Sequence, residues 1–262
     1  MLTNIYKSIL ILLFVVISAT NLYANKYSFR KYQHVKQFYK SIYEDCINIG
    51  IKNHVPPAAI MAIAGLESGY GRGYVAQITG NILSLGAFKG DKELPRLYLP
   101  YSKSKKIVIF DKKDIKKYHK NDLVWKKRDK SYKRDYRPNP YAGSNKNLAL
   151  LKYSNNIRKK AYKRCIDDFA TRWISKSSNI KVFAAAKVFL DKEVSKNGIK
   201  SLFTKELNNK FIGIIGGHPN SFNYRKAWPK KVKSILNKVG LVELSQKLYI
   251  NRLNFEDSWR IK

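Results

Sequence analysis

The chain has 262 residues, with 52 Lys and Arg against 18 Asp and Glu, a formal net charge of +34 at neutral pH. That length supports one core of ordinary size and falls short of a clear two-domain chain. Two cysteines (Cys46, Cys165) and four scattered histidines (His34, His54, His119, His218) give no metal-ligand spacing, so neither a zinc site nor a cofactor is expected.

In chain order, Lys7 precedes the run Ile9-Leu10-Ile11-Leu12-Leu13-Phe14-Val15-Val16-Ile17, about half the length a bilayer span needs. A basic start, a short apolar centre and Ala24 as cleavage residue predict a secretory signal peptide over 1–24. An uncleaved anchor or a buried N-terminal helix are the alternatives. Cleavage takes away only Lys7 and leaves +33. No later segment is apolar enough to span a membrane, so the mature protein is expected to be exported, periplasmic or cell-wall associated.

From about Arg30 to Ile51, Tyr32, Val35, Phe38, Tyr39, Ile42 and Tyr43 are spaced for one helical face. A second helix is predicted from about Pro56 to Ser68. A proline fits its first turn, and Gly69 and Gly71 stop it. Ile60, Ile63 and Ala64 lie at i, i+3 and i+4 of one stripe, and Glu67 falls at i+7 on the same stripe. A carboxyl group carried there loses solvation and stands at the negative end of a helix dipole. Both effects disfavour ionisation, which is the requirement for a general acid near neutral pH. A surface glutamate on a solvated last turn is the alternative.

The block Gly65-Leu66-Glu67-Ser68-Gly69-Tyr70-Gly71-Arg72, followed by Gly80-Asn81-Ile82-Leu83-Ser84-Leu85-Gly86-Ala87-Phe88, resembles the signature of the bacterial glucosaminidases of glycoside hydrolase family 73. In the second block Leu83-Ser84-Leu85-Gly86 replaces the family's usual phenylalanine-glycine pair. The resemblance implies a mainly α, lysozyme-like helical domain with a small β-hairpin lobe, over about 25–250, that cuts the glycan strands of peptidoglycan. It also implies Glu67 as general acid and a sugar groove including Tyr70, Asn81 and Phe88, since aromatic faces stack on pyranose rings and amides read acetamido groups. Leu151-Lys152-Tyr153-Ser154 resembles the family's tyrosine block, with Tyr162 competing for Tyr153's role. Asn223-Tyr224-Arg225-Lys226-Ala227-Trp228 is similar to its late tyrosine block. A second carboxylate, if one is used, is expected among Asp91, Glu93 and Asp111. The alternative is participation by the substrate's own acetamido group.

Leu97–Tyr101 and Lys106–Phe110 read as a β-hairpin. Between Lys103 and Arg137 fifteen Lys or Arg stand against five Asp, interleaved with Tyr118, Tyr132 and Tyr136. Residues 103–147 therefore read as a basic loop or insertion. In an exported protein such a surface favours anionic envelope polymers over nucleic acid, and a lysine-biased solvated surface without a partner is the alternative. Helices are expected to resume near Leu148, at about 155–174, 178–194, 198–208 and 225–250, with a Gly-rich loop from Phe211 to Tyr224 and a tail over 251–262. In an exported chain the two cysteines predict one disulfide, Cys46–Cys165.

The function expected is thus an exported endo-β-N-acetylglucosaminidase. A lytic transglycosylase on the same scaffold and a non-catalytic cationic binder of wall polymers are the alternatives.

Overall fold

In the computed structural model, residues 27–260 are described apart from 89, 92, 93, 95, 120 and 129–134. The expected signal peptide and Glu93 lie outside the described residues. Helix α2 (Pro57–Ser68) is the centre of the molecule: every residue from Pro57 to Gly65 is withdrawn from water. The segment is hydrocarbon on all sides, which suits a helix enclosed on all sides rather than an amphipathic one. The one-stripe reading of this helix is corrected accordingly. Its neighbours are α1 (Gln33–Lys52), α8 (Lys205–Ile215), α9 (Trp228–Val239) and α10 (Leu241–Tyr249).

Three further helices pack around these: α3 (Tyr74–Thr79), α6 (Asn155–Asp168), continued by a π-helical turn at Phe169–Trp173, and α7 (Lys181–Asn197), which a 3-10 turn at Ile199–Phe203 joins to α8. Ser154 and Thr204 cap α6 and α8 through their hydroxyls, as helix N-termini require. The expected Phe211–Tyr224 loop starts later than its glycines suggest, because α8 runs to Ile215.

The sheet has three strands rather than two. Strand β1 (Tyr98–Ser102) pairs antiparallel with β2 (Ile107–Val108) and, on its other edge, with β3 (Leu123–Lys127). β3 comes from the lysine-rich stretch, which is therefore not a plain loop. It places Leu123 opposite Ser102 and Trp125 opposite Pro100, while Lys126 and Lys127 stay exposed. Between the strands lies the short α4 (Lys112–Ile115), and α5 (Asn145–Tyr153) follows the stretch.

The last residues are not a tail. Phe255 and Trp259, on α11 (Phe255–Trp259), are buried, stack on each other and reach Tyr43 and Tyr39 of α1. Arg30 locks this end in place. Its guanidinium donates to the carbonyls of Val239 (2.7 Å), Gly240 (3.2 Å), Ser258 (3.0 Å) and Trp259 (2.7 Å).

The expected disulfide is not formed. Cys46 and Cys165 are both buried free thiols. Burial pushes the Cys165 thiol up to about 12, so it keeps its proton, and it donates to Asn81 Oδ1 at 3.6 Å. Each sulfur serves as a small core side chain.

Candidate active site

Glu67 stands one residue before the end of α2, where the enclosed helix emerges beside the loop between α8 and α9. The turn that follows explains the residues around it. Gly69 has φ 55°, its N–H bonds Leu66 O, and the Tyr70 N–H bonds Gly65 O, a Schellman end that needs a left-handed residue. Ser68 Oγ donates to Ala64 O and accepts from the Gly71 N–H at 2.8 Å. Gly65 and Gly71 permit close approach: a Cβ at Gly65 would meet the Tyr39 hydroxyl at 2.4 Å, and one at Gly71 the Phe38 ring at 2.9 Å. Glu-Ser-Gly-Tyr-Gly is thus a device that ends the helix abruptly and leaves Glu67 at its mouth.

Glu67 is half-buried, and the Trp228 indole Nε1–H donates to its Oε1 at 2.7 Å. Burial pushes the carboxyl above the ordinary carboxylate value, while the indole bond and the nearby Arg225 charge pull the other way. An indole N–H can only donate, so it occupies Oε1, and in the protonated form the proton belongs on Oε2. Trp228 is itself fixed by contact. Gly216 approaches its ring so closely that a Cβ would stand 2.2 Å away, and Phe222 lies 5.3 Å from it, centroid to centroid.

From there an aromatic wall runs outward. Phe222 meets Trp173 at 6.0 Å, and Trp173 meets Phe88 at 5.2 Å. The Arg172 guanidinium lies 4.7 Å above the Phe88 ring and pairs with Asp91 at 2.5 Å.

The other expected site residues divide sharply. Phe88 belongs to this wall. Tyr70 does not, since it packs against Phe29, His34, Phe38 and Tyr39 on the α1 side of α2. Asn81 is buried and closes its own loop: Oδ1 accepts from the Leu85 N–H at 2.9 Å and Nδ2 donates to Leu85 O at 2.9 Å. Its second amide hydrogen goes to Tyr136 O at 3.5 Å and Oδ1 also accepts from the Cys165 thiol, so the amide has no capacity left for an acetamido group. Tyr153 is 80% exposed at the end of α5, whereas Tyr162 is buried in α6.

Asp91 is held by Arg172 and by the Phe88 N–H, which makes it a loop anchor. Asp111 is exposed, and its backbone bridges Gly73 while the Tyr74 N–H donates to Phe110 O at 2.7 Å. The sheet thereby docks on the loop that ends α2. Trp228 and Arg225, from the 223–228 block, and Phe222 just before it are the residues that surround Glu67 without an expected role, and the fold brings Trp228 onto Glu67 from 161 positions away. Among the described residues no group of His, Cys, Asp or Glu could hold a metal ion, and no described helix is long and apolar enough to cross a membrane.

No known family model matches this chain, and no curated protein or solved structure matches it either.

Trp228→Phe keeps the ring and removes the donor. The bond it removes favours the carboxylate, so the Glu67 carboxyl should titrate higher still. A carboxyl carbon-13 NMR titration of the purified variant reads the shift, and a Glu67 titration that stays in place or moves down would show that the indole does not control this proton.

Proposed function

We propose that the protein is an exported hydrolase of peptidoglycan glycan strands, an endo-β-N-acetylglucosaminidase built on a lysozyme-like helical domain, with Glu67 as general acid. The observation that carries this reading is the placement of Glu67. Burial pushes its carboxyl above the ordinary carboxylate value, one oxygen is fixed by Trp228, and the Trp228 ring continues into the Phe222, Trp173 and Phe88 aromatic line. Glu67 Oε2 delivers its proton to the glycosidic oxygen as the bond from C1 breaks, and positive charge develops at C1. Asp91 is engaged by Arg172 and the Phe88 N–H, so the route we propose is one in which the oxygen of the substrate's own acetamido group closes on C1. Water then attacks C1 from the side of the same carboxylate, the bond to the acetamido oxygen breaks, and Glu67 takes a proton from that water, which restores the acid.

The exposed lysines of the sheet lobe, Lys126 and Lys127 among them, give the enzyme an attraction to anionic envelope polymers. This would concentrate it on an insoluble substrate.

Mass spectrometry of products from purified peptidoglycan tests the proposal. A reducing N-acetylglucosamine end is expected. An anhydro-muramic end would reassign the protein as a lytic transglycosylase using the same acid. No cleavage would leave a wall-binding protein.

A further inference from the structure

A cavity of about 1100 Å³ lies apart from Glu67, which is not among its lining residues. It opens at the far end of the aromatic wall, where Arg172 forms part of both. Its walls carry Asp91, Asp135 and Asp168 together with Arg137, Arg164 and Arg172, and four amide or hydroxyl side chains from residues 139–147. The acids are held in place by ion pairs: Arg172–Asp91 at 2.5 Å, Arg164–Asp168 at 2.9 Å and Arg128–Asp135 at 2.6 Å. Tyr136 donates to Asp168 Oδ2 at 2.8 Å and Arg137 is buried in the wall.

Such a lining does not suit an apolar ligand, and its balance of signs selects neither a simple anion nor a simple cation. It suits a short peptide that carries both an ammonium and carboxylates, whose amides meet the Asn and Ser side chains. The volume lies just above the range of ordinary ligand sites, roughly 300–1,000 Å³, and exceeds what one sugar fills.

We infer that this cavity receives the stem peptide of the glycan strand, held by Arg172 and its neighbours while the sugars lie along the aromatic wall toward Glu67. The inference rests on the proposed hydrolase reading for its choice of peptide. The arrangement makes the protein a reader of substituted strands: the peptide, and not only the sugar, sets the position of the scissile bond relative to Glu67.

Two measurements on the full-length protein separate this inference from the hydrolase reading. In the first, intact peptidoglycan and strands stripped of peptide by an amidase are compared as substrates. Wild type should prefer intact strands by about tenfold in kcat/KM, the worth of one charge-assisted contact, and Arg172→Gln or Asn147→Ala should bring that ratio close to one. In the second, calorimetry with a free synthetic stem tetrapeptide should show binding to wild type, about tenfold weaker in Arg172→Gln. Equal cleavage of both strands with no peptide binding overturns the inference and leaves the hydrolase in place. Cleavage of neither strand overturns the hydrolase, and the calorimetry then decides alone: peptide binding keeps the cavity assignment and its absence removes it. Asn147→Ala guards against a fold defect in the arginine variant, because its side chain belongs to none of the three ion pairs.

Discussion

Glu67→Gln is expected to abolish strand cleavage, by at least about 10³-fold, while leaving the protein folded and able to bind peptidoglycan. The carboxamide matches the carboxyl in size, and its oxygen still accepts from the Trp228 indole. It cannot release a proton to a leaving oxygen, and general acid catalysis of this kind contributes roughly 10²–10⁴-fold before any loss of the returning base. Stability should move the other way. Burial raises the carboxyl's folded value above its unfolded one, so the native state holds this proton more tightly than the unfolded chain does. As pH rises through the folded value the native state must ionise a half-buried group, and stability is lost relative to acid conditions. The glutamine variant never ionises. Its Tm should therefore match or exceed wild type at pH 8, with the difference closing at pH 4. Full turnover by the variant, or a Tm several degrees below wild type at pH 8, would remove Glu67 from its role.

The largest expected loss of stability comes from Arg30→Met, about 3–4 kcal/mol, near the top of what single substitutions cause. Methionine fills similar space without a donor, leaving four carbonyls from α9–α10 and α11 without their acceptor role satisfied. Burial lowers the Arg30 pKa, and the Glu243 charge partly restores it. A guanidinium remains protonated under any such balance, so the four bonds are charge-assisted, each worth roughly 1.5–3 kcal/mol to a buried acceptor. Arg30→Lys should recover only part of the loss, because a single ammonium has three donors and no planar fork. Thermal unfolding of the two variants checks this, with an expected fall of about 10 °C for the methionine. A fall under about 2 °C would show that the carbonyls find other donors.

How far these features could be read from residues alone depends on the range over which each is determined. The α1 periodicity is local, and Val35, Phe38, Tyr39 and Ile42 are buried as their spacing requires. The stop after Glu67 was equally legible, because Gly69 and Gly71 have local conformational reasons. β3 was not: Leu123-Val124-Trp125-Lys126-Lys127 is short and lysine-laden, and becomes a strand only through its register with β1. α11 was missed because a single pair, Phe255 and Trp259, carries its apolar face.

At the site, the acid itself was legible but its surroundings were not. Asn81 has the residue type of a sugar reader, yet its hydrogen bonds go to Leu85. Tyr70 turns to the opposite side of α2 because the three positive φ angles from Gly69 to Gly71 redirect the chain. The Cys46–Cys165 bridge was an inference from parity and compartment, whereas the folded core uses both sulfurs singly.

The Arg30 clamp constrains how the molecule can be made. A chain delivered from its amino end presents that guanidinium more than two hundred residues before its last acceptors, Ser258 and Trp259, arrive. The native topology of this clamp therefore closes only after residue 259 has emerged, and until then the Arg30 guanidinium must stay solvated.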